Sequence, residues 1–200
     1  MKKWLVIGDS ISAEGLGVDK KYHDFIKHNI NAEVINVAAA GTGYIHEFHG
    51  IKGWLDRLDE FPKKEDVDFI TIMGALNDRH YPVGRYESEN PKELYGALRL
   101  FYDELLFKYP TTPIGVITST PRIYSWGNEG EFTPHVDAVI NIAKHYSLPV
   151  LDLYRCSGLR PWIEENNTRF FDKSDGVHPN LEGQEMMSKK IYYFIKQNIL

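Results

Sequence analysis

The 200 residues include 23 Lys and Arg against 28 Asp and Glu, a formal charge of −5 with a pI near 5.9. No basic run exceeds a pair, so nothing neutralises a row of phosphates and nucleic acid is not an expected partner. The one cysteine, Cys156, rules out an internal disulfide, and no apolar stretch approaches the roughly 20 residues that span a membrane.

Trp4–Ile7 is the first compact β-rich run, and Gly8 ends it. Met1-Lys2-Lys3 ahead of it has the charge order of a leader, yet the run is shorter than the roughly 7–15 apolar residues a leader needs. A cytoplasmic location is therefore expected. Further β-like runs are Glu33–Ala38, Asp68–Met73, Ile114–Thr118 and Pro149–Leu153. Tyr22–Ile30 is a weak helix candidate. Pro91–Tyr109 is a stronger one, with Leu94, Leu98, Phe101, Leu105 and Leu106 on one face and Pro91 suited to a helix start. Val136, Val139, Ile140 and Ala143 pattern a helix after Pro134, and Met186, Met187, Ile191, Phe194 and Ile195 pattern one running from near Pro179 to the end. Tyr124–Thr133 and Cys156–Asp172 read as irregular insertions. Strands that alternate with helices imply a parallel sheet covered on both faces, an α/β/α sandwich. Residues 1–200 are expected to form a single domain.

Ligands of such sheets bind beyond the carboxyl ends of the strands. Gly8-Asp9-Ser10-Ile11-Ser12 follows the first run, Ala40-Gly41-Thr42-Gly43 the second and Gly74-Ala75-Leu76-Asn77-Asp78 the third. Asp175-Gly176-Val177-His178 precedes the last helix. A serine hydroxyl needs a base, and histidine can take and return its proton near neutrality. The ring in turn needs a carboxylate to hold its tautomer. A tetrahedral intermediate needs hydrogen-bond donors. Ser10, His178 and Asp175 supply the first three parts. Ser10 N–H at a strand-to-helix turn, a glycine N–H of the second loop and the Asn77 amide supply the donors.

Together these stretches resemble the SGNH, or GDSL, hydrolase family. Gly8-Asp9-Ser10-Ile11-Ser12 is similar to its nucleophile block, and Asn36 to Gly41 to the block whose glycine donates to the oxyanion. Asn77-Asp78 is similar to the asparagine block, and Asp175 to His178 to the acid and base block. The resemblance implies a flavodoxin-like five-stranded parallel sheet in the order 2-1-3-4-5. It also implies hydrolysis of lipid, sugar or thioester acyl groups without a cofactor. One departure is that Gly74 stands three residues before Asn77, with Ala75 where the family places glycine. Gly41 is preferred to Gly43 as donor for its spacing from Asn36, and Gly43 stays an alternative.

Competing readings surround each residue. Ser12 is the rival hydroxyl, better suited to capping or back-bonding one step inside a helix. Asp172 is the rival carboxylate. Asp9 either holds the nucleophile loop or forms a surface turn. His46-Glu47-Phe48-His49 lacks the spacing of helical zinc motifs and reads as an exposed loop or helix, so no metal is expected. Tyr44, Trp54, Tyr81, Tyr124, Trp126 and Trp162 line either a pocket or a core. Glu164 and Glu165 read as a solvated face. The expectation is a serine esterase acting on a small-molecule or carbohydrate ester. The alternatives are a carbohydrate O-acetyl esterase of the same mechanism and a non-catalytic binding module.

Overall fold

A computed structural model of the chain describes residues 1–15, 17–123 and 129–200. Strands β1 (Lys2–Gly8), β2 (Ala32–Asn36), β3 (Phe69–Gly74), β4 (Ile114–Thr118) and β5 (Val150–Leu151) form one parallel sheet. Their order is β2-β1-β3-β4-β5, the order that the family resemblance implied. β3 and β4 are buried at every position and β1 from Trp4 onward, whereas the edge strands β2 and β5 are partly open. Burial on both faces is why the central runs are continuously apolar rather than alternating.

Side chains along each strand still divide by parity. Leu5, Ile7, Ile70, Ile72 and Val116 face one core. There they meet Leu94, Leu98, Phe101 and Leu105 of α2 (Leu94–Lys108) and Val139 and Ile142 of α3 (Glu129–His145). Trp4, Val6, Phe69, Met73 and Ile117 face the other core. It is closed by Tyr22 and Ile26 of α1 (Tyr22–Ile26) and by Met187, Ile191 and Ile195, which belong to the C-terminal helix (Leu181–Asn198). Two apolar layers thus sandwich the sheet. Truncating one of the buried rings, Phe101 for example, should cost about 3–5 kcal/mol.

The boundaries differ from the sequence expectation in instructive places. The fifth strand stops at Leu151, because Asp152 accepts the Arg155 N–H at 3.2 Å and starts the short helix α4 (Leu153–Cys156). Pro91 lies outside α2, which begins at Leu94, while Pro134 lies inside α3. The expected irregular stretch after Cys156 contains a helix, α5 (Glu164–Phe170), and Glu164 and Glu165 are exposed on it. The C-terminal helix is α6, and Asn180 caps it by accepting the Gly183 N–H at 3.1 Å. Tyr124 and Trp126 lie outside the described residues, as does the first part of the insertion expected there. No helix among the described residues is long and apolar enough to cross a membrane.

Candidate active site

Parallel register brings the carboxyl ends of four strands to one rim. Val6 pairs with Asn36, Gly8 with Met73 and Gly74 with Thr118. Beyond the ladder, Ala39 N–H still donates to Gly8 O at 3.1 Å, holding the first two loops side by side.

The turn after β1 is not the helix entry the sequence suggested. Residues 10–15 form turns and bends, and the first helix begins only at Tyr22. Asp9 shapes this turn. It is 1% exposed, its Oδ1 accepts Ile11 N–H at 2.9 Å, and its carbonyl accepts Ser12 and Ala13 N–H. That settles Asp9 as a loop-holding group and leaves Ser10 N–H without an acceptor among the described residues. Burial pushes the Asp9 carboxyl above its usual range, against the pull of Ile11 N–H and the charges of Arg122, His178 and Lys21. Ser12 is fully buried with its hydroxyl on Tyr22 Oη at 3.1 Å, a packing role.

Three more groups hold the turn from outside. The buried Lys21 donates from Nζ to Ser10 O at 3.2 Å, and burial lowers its pKa. Asn36 donates to Ser12 O at 2.9 Å. Gln184, fully buried on α6, donates to Ile11 O at 3.1 Å and accepts Tyr22 N–H at 2.9 Å. Sequence reasoning assigned Asn36 to its block and missed Lys21 and Gln184, whose partners are distant in the chain.

Asp175 and His178 reach the same rim on the loop before α6. Lys173, Ser174 and Gly176 all have positive φ, the first two at 48° and 55°. Backbone of this kind in non-glycine residues stores about 1–3 kcal/mol each and persists where the surroundings over-determine it. Here Asp172 N–H donates to His178 O at 2.8 Å, closing the loop at its base. Asp175 Oδ1 accepts Val177 N–H at 2.7 Å and His178 N–H at 2.9 Å. Its Oδ2 lies 2.8 Å from His178 Nδ1, and His178 Nε2 lies 3.1 Å from Ser10 Oγ. Among the described residues Asp172 makes no hydrogen bond to the ring, whereas Asp175 does.

The third component comes from the loops after β2 and β3. Asn77 Nδ2 donates one N–H to Thr42 O at 2.9 Å, which leaves its second N–H for another acceptor. Asp78, fully buried, accepts three consecutive backbone N–H groups: Tyr44 on Oδ2 and Ile45 and His46 on Oδ1, each at 2.9 Å. Burial raises the Asp78 pKa and these three donors oppose the rise. A Cβ on Gly43 would sit 2.4 Å from the same carboxylate, so the loop closes only around glycine there. Gly43 N–H is already given to His46 O at 3.0 Å, whereas Gly41 N–H has no acceptor among the described residues. Gly41 itself has φ +75°, and a Cβ there would meet the Phe48 ring at 2.5 Å. The departure at Gly74 and Ala75 also has its reason. Trp54 packs where a Gly74 Cβ would be, and Ala75 adopts φ 92°, the left-handed turn into Asn77.

Tyr44 and Trp54 are core residues, Trp54 Nε1 donating to Thr42 Oγ1 at 2.9 Å. Tyr81 is half-buried, its ring 6.1 Å from that of His46. Trp162 borders a cavity of about 600 Å³ with Pro121, Tyr154 and Arg160, and Ser10, Asp175 and His178 are not among its lining residues. The stretch from His46 to His49 is a loop with Phe48 bridged to Ile51. Among the described residues no group of three or more His, Cys, Asp or Glu is placed to hold a metal ion.

The family model described as GDSL-like Lipase/Acylhydrolase matches residues 6–186. The chain belongs to that family. Solved structures agree with the GDSL-type fold. A protein from Lactobacillus plantarum superposes with a TM-score of 0.88 at 25% identity, over 100% of this chain and 98% of that one. The lipase/acylhydrolase from Enterococcus faecalis gives 0.71 at 22% identity, over 100% and 98%. An acetyl-xylooligosaccharide esterase from Geobacillus gives 0.68 at 17% identity, over 97% and 94%. At the last two identities the likeness is one of fold alone. No curated protein matches the sequence.

Proposed function

We propose that this GDSL-family chain is a serine esterase or acylhydrolase, working as one domain over residues 1–200, with Ser10 as nucleophile, His178 as base and Asp175 as orienting acid. The observation that carries the reading is the continuous relay of 3.1 Å and 2.8 Å contacts from Ser10 Oγ through the imidazole to Asp175. Asp175 accepts the Nδ1–H, which leaves Nε2 unprotonated to take the Ser10 proton. Ser10 Oγ attacks the ester carbonyl. The developing oxyanion receives Ser10 N–H, Gly41 N–H and the spare N–H of Asn77, each of about 2.7–4 kcal/mol by the effect of losing one such donor. His178 then protonates the leaving alcohol. Water, activated by the same ring, attacks the acyl-Ser10 carbonyl and frees the acid.

The His178 side chain is 43% exposed, so water and a polar leaving group reach the ring readily. That openness favours short acyl groups and supports a second reading, an O-acetyl esterase acting on carbohydrate. Hydrolysis of 4-nitrophenyl esters of increasing acyl length tests both. A steep preference for acetyl supports the carbohydrate reading, and a maximum at long chains removes it. Ser10→Ala should lower kcat by about four orders of magnitude or more, as removal of a triad nucleophile does. An unchanged rate removes Ser10 as the nucleophile, and failure of a fluorophosphonate to label Ser10 in folded protein favours a binding module instead.

A further inference from the structure

Arg122 follows β4 on the same rim, and the chemistry above does not use it. The residue is 8% exposed and its Nε is sealed from solvent without an acceptor. No guanidinium nitrogen of Arg122 has a hydrogen-bond or ion-pair partner among the described residues. Ile123 N–H donates to Gly176 O at 2.9 Å, which fastens this stretch to the loop between Asp175 and His178. Its charge is felt at Asp9 and Asp175, and burial lowers its pKa to about 10, which leaves it cationic at neutral pH.

Neither carboxylate comes within 4.0 Å, the range of the ion pairs found elsewhere in the chain. Both have other commitments: Asp9 to Ile11 N–H, and Asp175 to two backbone N–H groups and the imidazole. A second guanidinium, Arg79, sits near enough to repel Arg122. It is exposed on the turn that carries Asn77, and among the described residues its guanidinium makes one hydrogen bond, a long 3.4 Å contact to Leu76 O. Elsewhere Arg155 and Arg169 are ion-paired on the surface, and Arg57, mostly buried, is ion-paired to Glu60 although its Nη1 has no partner among the described residues.

Two like charges thus repel one another at this rim, and neither has an ion-pair partner among the described residues. A mostly dehydrated guanidinium with unmade donors is unfavourable, and an acceptor of opposite charge relieves it. The planar fork of arginine matches a carboxylate. We propose that Arg122, assisted by Arg79, is an anion-receiving subsite and that the esters hydrolysed here carry a carboxylate beside the scissile bond. The proposal rests on the Ser10 reading and deepens it to a substrate class.

Two substrate pairs test it and locate the charge. Mono-(4-nitrophenyl) glutarate against 4-nitrophenyl butyrate reports the acyl side, and acetylsalicylate against phenyl acetate the alcohol side. In Arg122→Gln the anionic-to-neutral ratio of kcat/KM should fall at least about tenfold in one pair, because a hydrogen bond to a charged group is lost. Equal losses on both members, or an unchanged ratio, overturn the subsite while leaving the hydrolase reading intact. If Arg122→Gln does not fold, Arg79→Gln decides: a lowered ratio supports the subsite and an unchanged one overturns it. If Ser10 takes no fluorophosphonate and no ester turns over, the hydrolase reading falls separately. Calorimetric titration with glutarate then judges the subsite. Binding weakened about tenfold by Arg122→Gln keeps it, and absent or equal binding overturns it.

Discussion

Asp78→Asn isolates the clamp that shapes the oxyanion loop. The substitution keeps size and one acceptor oxygen. Oriented with that oxygen in the Oδ1 position, the amide still serves Ile45 and His46 N–H, but its NH2 then faces Tyr44 N–H, donor against donor. One charge-assisted hydrogen bond of about 1.5–3 kcal/mol is lost. Part of that loss is offset, because a neutral amide escapes the desolvation that raises the Asp78 pKa. A net destabilisation of about 1–2 kcal/mol follows, or roughly 2–8 °C in Tm for a chain of this size. The catalytic effect follows from position. Asn77 is the adjacent residue, and Gly41 lies on the loop that the clamp and the Asn77–Thr42 bond hold. Loosening it displaces donors without removing them, so kcat should fall about tenfold, below the 10²–10³ of a deleted donor, with KM little changed. Urea unfolding gives the stability, and steady-state hydrolysis of 4-nitrophenyl acetate gives kcat and KM. Unchanged kcat with unchanged unfolding midpoint would show that the three N–H contacts do not govern the loop.

Asp175→Asn should leave the fold intact and lower kcat by about 10⁴, because the imidazole loses the carboxylate that selects its tautomer; a loss under tenfold in the same ester assay removes Asp175 as orienter. Gly41→Ala forces a side chain to φ +75° and into the Phe48 ring, and should cost about 1–2 kcal/mol in urea unfolding together with a drop in kcat. An unchanged kcat would take Gly41 N–H out of the oxyanion site. Asp9 has its folded-state pKa raised above 3.8, chiefly by burial, so the folded chain holds this proton more tightly than the unfolded chain. Unfolding releases the proton in that interval, and stability declines as pH rises from about 4 through the raised value. Asp9→Asn should flatten the decline in urea midpoints, and an identical pH profile in both proteins refutes the assignment.

Much of the site was legible because its chemistry comes in short blocks. Ser10, Asn77, and Asp175 with His178 each follow a recognisable structural break, and the structure brings them to one rim. What escaped was support by residues whose meaning depends on a partner far along the chain. Gln184 is an ordinary polar residue in an amphipathic helix until its contacts with Ile11 and Tyr22 are seen. Lys21 looks like a surface lysine, yet it is buried against Ser10 O. Asp78 could have been suspected from its place after Asn77, but nothing local says that its oxygens close around Tyr44, Ile45 and His46. The helix expected at Ser10 failed for a local reason: Asp9 uses its side chain and its carbonyl to hold a non-helical turn.

The amino-acid sequence alone determined the alternation of strands and helices, since apolar runs and their breaks are set by burial along each element. It also determined which residue types stand at the strand ends. Only the tertiary structure separated the rival residues by geometry. It leaves Gly41 N–H rather than Gly43 N–H without an acceptor among the described residues, and it sets Asp175 rather than Asp172, and Ser10 rather than Ser12, against the His178 ring. Those choices depend on which N–H or carboxylate remains uncommitted after every neighbour has formed its bonds, and that depends on contacts between residues distant in the chain.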